Sequence, residues 1–146
     1  CFLRLDPDDV EDVEHATTIS GSAAVGVPVA PEDVERVDLI VSGSVAVTED
    51  GARVGKGEGY SDLEFAILRE FGAVDGETTT ATTVHELQVT DAAVPAAAHD
   101  VPMDLVVTPE RTVRTGAGAD RPAGVDWTRL PAETREEIPA LQSLAE

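Results

Sequence analysis

Between Gly51 and Phe65 the chain reads GARVGKGEGYSDLEF, and most of its candidate chemistry lies there. Gly55, Gly57 and Gly59 alternate around Lys56, the one lysine of the chain. Glycines let successive backbone N–H groups turn toward an anion, because no Cβ blocks the approach. Lys56 adds a mobile full charge, and Arg53 a planar fork, for phosphate oxygens. Asp62, just past the glycines, could hold magnesium directly or through water. Glu58 opposes a simple anion site unless its side chain turns away or meets a metal. The spacing is neither a GxxxxGK phosphate loop followed by Ser or Thr nor a convincing GxGxxG fingerprint. The stretch therefore reads either as a flexible connection or as a phosphate cradle. The lone lysine, the helix start that follows and the strand before it favour the cradle.

Other polar residues are less specific. His99 and Asp100 form a pair in HDVPMD that suits either a general base with its orienter or a loop-fixing hydrogen bond. Asp104 lies beside an apolar strand, where a carboxylate needs a metal or a basic partner. His85 and Glu86 end a strand. His15 sits among acids and is expected to face solvent. The three histidines have no zinc spacing, and Cys1 is the only cysteine, with no base near it in sequence.

These residues need elements to position them. FLRLDP reads as a short strand entering a turn, DPDDVEDVEHA as a short helix, and ATTISGSAAVGVPV as irregular with some extended structure. PEDVERV suits one or two helical turns. VDLIVSGSVAV is the clearest strand, apolar enough to be covered on both faces. TEDGARVGKGEGY is a long glycine-rich loop. In SDLEFAILREFG, Ser61 and Glu64 have capping-box spacing, and Leu63, Ala66, Ile67 and Phe71 form one stripe, with Gly72 as the stop. TTTATTVHELQV and MDLVVTPERTVRTG supply further strands. The tail is expected to be a helix broken near Pro139. Strands alternating with helices predict an α/β sandwich with a mainly parallel sheet, whose ligands bind beyond the carboxyl ends of its strands.

The 146 residues suit one domain, and 42% are hydrophobic. The net charge of −19 argues against nucleic-acid binding, because phosphates would be repelled. Apolar β-branched runs interrupt the acids, so the charge predicts a folded protein suited to high salt, as in halophiles. The apolar runs are too short to span a bilayer. A single cysteine fits a reducing, cytoplasmic setting. Cys1 in the first position, without a polar tether behind it, is expected to mark a fragment.

Four blocks in order, DLIVSGSVAV, GARVGKGEGYSDLEFAIL, TTVHELQV and HDVPMDLVVT, resemble the 5-formyltetrahydrofolate cyclo-ligase family. LEFAIL, TTVHELQV and the tail RPAGVDWTRLPAETREEIPAL look closest to its methenyltetrahydrofolate synthetase domain-containing branch. The resemblance implies a three-layer α/β sandwich over 1–115, N-terminally incomplete, with 116–146 as an extension packed on it. It implies ATP- and Mg²⁺-dependent closure of 5-formyltetrahydrofolate to 5,10-methenyltetrahydrofolate. Arg53, Gly55, Lys56, Gly57, Gly59, Tyr60 and Ser61 would contact the nucleotide, with Lys56 and Tyr60 catalytic. Asp62 and Asp104 would be the magnesium carboxylates, and His99 and Asp100 would shape the adjacent loop. The implied partners are ATP and a folate, with no nucleic acid and no membrane; oligomeric state is left open. Ser61 stands where the family motif usually has a second tyrosine, and Leu63 where a basic or polar residue is common. Nothing before Val37 matches the family's basic N-terminal helix. The alternative is a non-catalytic nucleotide- or phosphometabolite-binding module of the same fold.

Overall fold

The computed structural model describes residues 2–57, 59–117 and 121–145. Glu58 and Cys1 lie outside the described residues, and with them the expectations placed on those two. The architecture is mixed α/β around a four-stranded sheet. Its strands are β3 (Leu39–Val41), β6 (Thr79–Thr83), β7 (Leu105–Val107) and β8 (Thr112–Arg114), side by side in that order. β3, β6 and β7 run parallel, with Ile40 beside Thr80 and Ala81 beside Leu105, and β8 returns antiparallel. A mainly parallel sheet is what the sequence predicts.

Two small antiparallel pairs flank it. β1 (Phe2–Arg4) pairs with β2 (Val27–Val29), and β4 (Ala46–Val47) with β5 (Arg53–Val54). The second pair corrects the reading of 48–60 as one loop, and the expected strand VDLIVSGSVAV divides into β3 and β4 around Ser42–Val45. Gly51 makes this hairpin turn at φ 94°. A Cβ there would sit 2.4 Å from the Met103 carbonyl, so only glycine lets the turn approach the chain entering β7. β3 is also less covered than its apolar run suggests: Leu39 and Val41 are 53% and 60% exposed.

Near the N-terminus, α1 (Val13–Ala16) is shorter than expected, and α2 (Ile19–Val25) replaces expected irregular structure. The side chain of Thr18 accepts from Gly21 N–H and so starts α2, a cap that outweighs the weak helix propensity of its glycine and β-branched residues.

α3 (Tyr60–Glu70) lies at the centre. One side packs Phe65 and Leu68 against Val74, Val101, Met103 and Ile40 of the sheet side. The other packs Ala66 and Ile67 against Val125, Leu141, Trp127 and Ile138 of the tail. The tail folds as α4 (Ala132–Glu137) and α5 (Pro139–Leu144), broken at Pro139 as its sequence predicts. Leu141 is fully buried, so the tail completes the core around α3. Among the described residues no helix is long and apolar enough to cross a membrane.

Candidate functional site

A cleft of about 650 Å³ opens beyond the end of β3. Gly43, Ser44 and Val45 form its floor, where the chain leaves the strand. Gln88 fixes that floor: its Nε2 donates to the Ser44 carbonyl at 2.9 Å and the Val45 carbonyl at 3.3 Å. The second wall runs from Arg53 and Val54 of β5 through Gly55, Lys56, Gly57 and Gly59 into Tyr60, Ser61 and Asp62 of α3. The third is the loop before β7, with Pro95, His99 and Asp100. Thus the structure gathers Arg53, Gly55, Lys56, Gly57, Gly59, Tyr60, Ser61 and Asp62 around one cleft, with His99 and Asp100 facing them.

The start of α3 differs from its expected form in a way that matters for binding. The N-cap is Gly59, in the left-handed region at φ 69°, one residue before Tyr60, and not Ser61. Ser61 falls inside the first turn, so its capping box with Glu64 does not form. Among the described residues no side chain caps this helix. Its first-turn N–H groups therefore lack intrahelical partners and, among the described residues, side-chain partners, which makes that end a donor site for anions. Lys56 is exposed at the mouth of the cleft.

Arg53 differs from Lys56. Its side chain is 6% exposed, and its Nη2 donates to Asp62 Oδ1 at 2.7 Å. Nη1 lies against the Gly55 backbone, 3.3 Å from where a Cβ would stand. Nε is buried with no partner among the described residues. The same Oδ1 of Asp62 also accepts from Val101 N–H at 2.9 Å. Opposite, Asp100 braces its loop by accepting from Ala97 N–H at 2.7 Å. His99 Nε2 is 3.4 Å from Asp100 Oδ1, so the pair fixes this loop, and His99 also lines a second groove with Glu70 and Gly124.

Asp104 is not in the cleft. It sits where β6 and β7 begin, and its Oδ2 accepts from Arg121 Nη2, from Thr80 N–H at 2.8 Å and from Thr80 Oγ1 at 3.2 Å. The basic partner foreseen for this acid is thus an arginine from the tail. The structure does not bring Asp62 and Asp104 together at one cavity, and each already pairs with a buried guanidinium. Among the described residues, no three His, Cys, Asp or Glu side chains gather to hold a metal. The two acids therefore do not fit as a magnesium pair. His85 caps a short turn instead of reaching a ligand, accepting from Leu87 N–H at Nδ1.

Sequence reasoning missed the floor residues Ser44 and Val45 and the partner Arg121. The floor had a signal in the Ser-Gly-Ser interruption of an apolar run, which marks where β3 ends. Arg121 had none, because it lies in a proline- and glycine-rich connection.

A sequence profile of the 5-formyltetrahydrofolate cyclo-ligase family matches residues 8–109. Human methenyltetrahydrofolate synthase domain-containing protein is 41% identical over 142 residues, 94% of this chain and 37% of its own length. The mouse protein of that name is 40% identical over 144 residues, 96% of this chain and 38% of its own. The chain spans little more than a third of the length of these relatives. At 94–96% coverage, the likeness runs past the profile into the tail that packs on α3. With over two thirds of its length matched by the profile, the chain belongs to the 5-formyltetrahydrofolate cyclo-ligase family.

Proposed function

We propose that the chain forms the nucleotide-binding core of an ATP-dependent 5-formyltetrahydrofolate cyclo-ligase that produces 5,10-methenyltetrahydrofolate. The observation that carries this reading is the uncapped start of α3 meeting Lys56 and Arg53 at one cleft. In the reaction, the formyl oxygen takes the terminal phosphoryl group of ATP, and ADP leaves. The neighbouring folate nitrogen attacks the activated carbon and gives up its proton, and phosphate departs with the oxygen. Such chemistry needs positioning and charge stabilisation and no covalent enzyme intermediate. The N–H groups of the glycine loop and first turn would hold the phosphates, with Lys56 following the charge as it moves. Tyr60, 54% exposed on the cleft wall, would offer its ring to the ligand. Magnesium, which the family chemistry implies, would arrive with the nucleotide, since Asp62 and Asp104 make no paired site for it.

The test is an assay of the full-length protein in molar potassium chloride, the medium its charge favours. ATP-dependent appearance of methenyltetrahydrofolate absorbance is expected. A folded protein that gives no product with ATP, Mg²⁺ and substrate would overturn the reading. A second reading, a binding module without ligase activity, is favoured by Ser61, which leaves the first turn without an aromatic face beside Tyr60. Calorimetry separates the two: a folate that binds only with ATP supports the ligase, and ATP binding with no folate binding supports the module.

A further inference from the structure

We propose that Asp62 is a positioning residue: it aims the Arg53 guanidinium at the ligand's phosphates and does not hold a metal. The proposal deepens the nucleotide reading and rests on it for the identity of the ligand.

Asp62 stands on α3, yet one of its oxygens joins two other walls of the cleft. Oδ1 accepts Nη2 of Arg53 from β5 and the N–H of Val101 from the loop before β7. Three chain segments, one of them thirty-nine residues from Asp62, therefore meet at one atom. Arginine has a planar fork whose direction decides which acceptors it reaches. Clamped at Nη2 by Asp62 and flanked at Nη1 by the Gly55 backbone, that fork has little rotational freedom. A donor held in advance does not lose side-chain entropy when the anion arrives.

The metal role conflicts with the same contacts. Magnesium requires near-octahedral oxygen geometry and usually binds through one or two carboxylates plus phosphates. Here the carboxylate already accepts from a guanidinium at 2.7 Å, and a divalent ion beside it would face that positive charge. The second acid of the expected pair, Asp104, is held by Arg121 and Thr80. The Asp62 carboxylate offsets the charge of the Arg53 guanidinium, so Lys56 is the cleft's mobile charge, a division of labour between one fixed fork and one free cation.

The test uses metal-free binding. The chain is titrated with tripolyphosphate in EDTA by calorimetry, as wild type, Arg53→Gln, Asp62→Asn and the double variant. Each single change is expected to weaken binding about tenfold, and the double to be little worse than either, because both remove one unit. Arg53→Lys, which keeps the positive charge but not the planar fork, is expected to lose several-fold. Melting curves accompany each variant, and a fold-wide defect would lower them without producing the coupling. Additive losses, an unchanged Arg53→Lys, or an Asp62→Asn effect that appears only when Mg²⁺ is added would overturn the proposal. So would a wild type that fails to bind tripolyphosphate without metal. Coupled losses in a protein without ligase activity would uphold Asp62 as the positioner and overturn only the ligase reading.

Discussion

Two buried arginine–aspartate pairs sit among the described residues, and the same chemistry serves different ends in each. Arg121–Asp104 is closed. Arg121 donates through both terminal nitrogens, to Asp104 and to the carbonyls of Thr78 and Asp75, while Asp104 also receives Thr80. It fastens the beginning of the tail to the start of β6 and β7. Arg53–Asp62 is open. Among the described residues Arg53 donates only through Nη2, and its neighbours are glycines at the rim of a cleft. A guanidinium carries five N–H donors, so unused ones at a cavity mark binding, whereas used ones in a closed site mark architecture. Burial does not tell the pairs apart, because the two arginine side chains are 6% and 5% exposed. Nε does not either, being buried without a partner among the described residues in both; the partners of the terminal nitrogens do.

The largest effect expected from this contrast is on stability at the closed pair. Asp104→Ala leaves the Arg121 guanidinium buried with only neutral acceptors, the carbonyls of Asp75 and Thr78 and the Thr80 hydroxyl. Removing one member of a buried pair costs about 3–5 kcal/mol. In a chain of this size that lowers the melting temperature by roughly 10 °C. Urea unfolding measures the loss directly. Affinity for tripolyphosphate in the remaining folded protein should be unchanged, and a parallel loss of affinity would break the distinction between the pairs.

Lys56→Ala probes the opposite end of the comparison, the free charge beside the open pair. Lys56 is exposed and has no structural partner among the described residues, so the melting temperature should stay within about 1 °C. A hydrogen bond to a charged group contributes about 1.5–3 kcal/mol, so ATP binding should weaken tenfold or more. Calorimetry and the ATP dependence of turnover both read this. An unchanged dependence would remove Lys56 from the site.

The open pair was half legible in the sequence and the closed one was not, for physical reasons. Alternating glycines around one lysine signal backbone N–H groups and charge within a single stretch, which local reasoning can read. The strand before and the helix after follow from apolar runs and from the stripe through Leu63, Ala66 and Ile67. The partnership of Arg53 with Asp62 spans nine residues and depends on β5 forming a hairpin, which the glycine-rich stretch disguised as a loop. Ser61 misled as a cap because Gly59, in a conformation open to glycine, starts the helix earlier. Asp104 announced only that it needed a partner. Two answers, metal or base, satisfy that need equally in sequence, and the choice came from Arg121, seventeen residues further along, reaching back from the tail.

A smaller effect sharpens what pairing does for an acid. Glu64, two residues beyond Asp62 on α3 and exposed on one side, has no hydrogen-bond or ion-pair partner among the described residues, and partial desolvation pushes its carboxyl above its ordinary value of 4.5. The charged form is thus disfavoured in the folded chain relative to the unfolded one. That penalty is absent below the ordinary carboxylate value, where both states are protonated. It grows as pH rises from there through the raised folded value, and persists at neutral pH. Glu64→Gln removes the titration. At pH 7 the variant should melt about 1 °C above wild type, and the gain should vanish in melts run below pH 4. Asp62→Asn should show no such gain, because its charge is met by Arg53 and Val101. A Glu64→Gln advantage that persisted unchanged at low pH would mean that packing, and not the unpaired charge, separates this acid from Asp62.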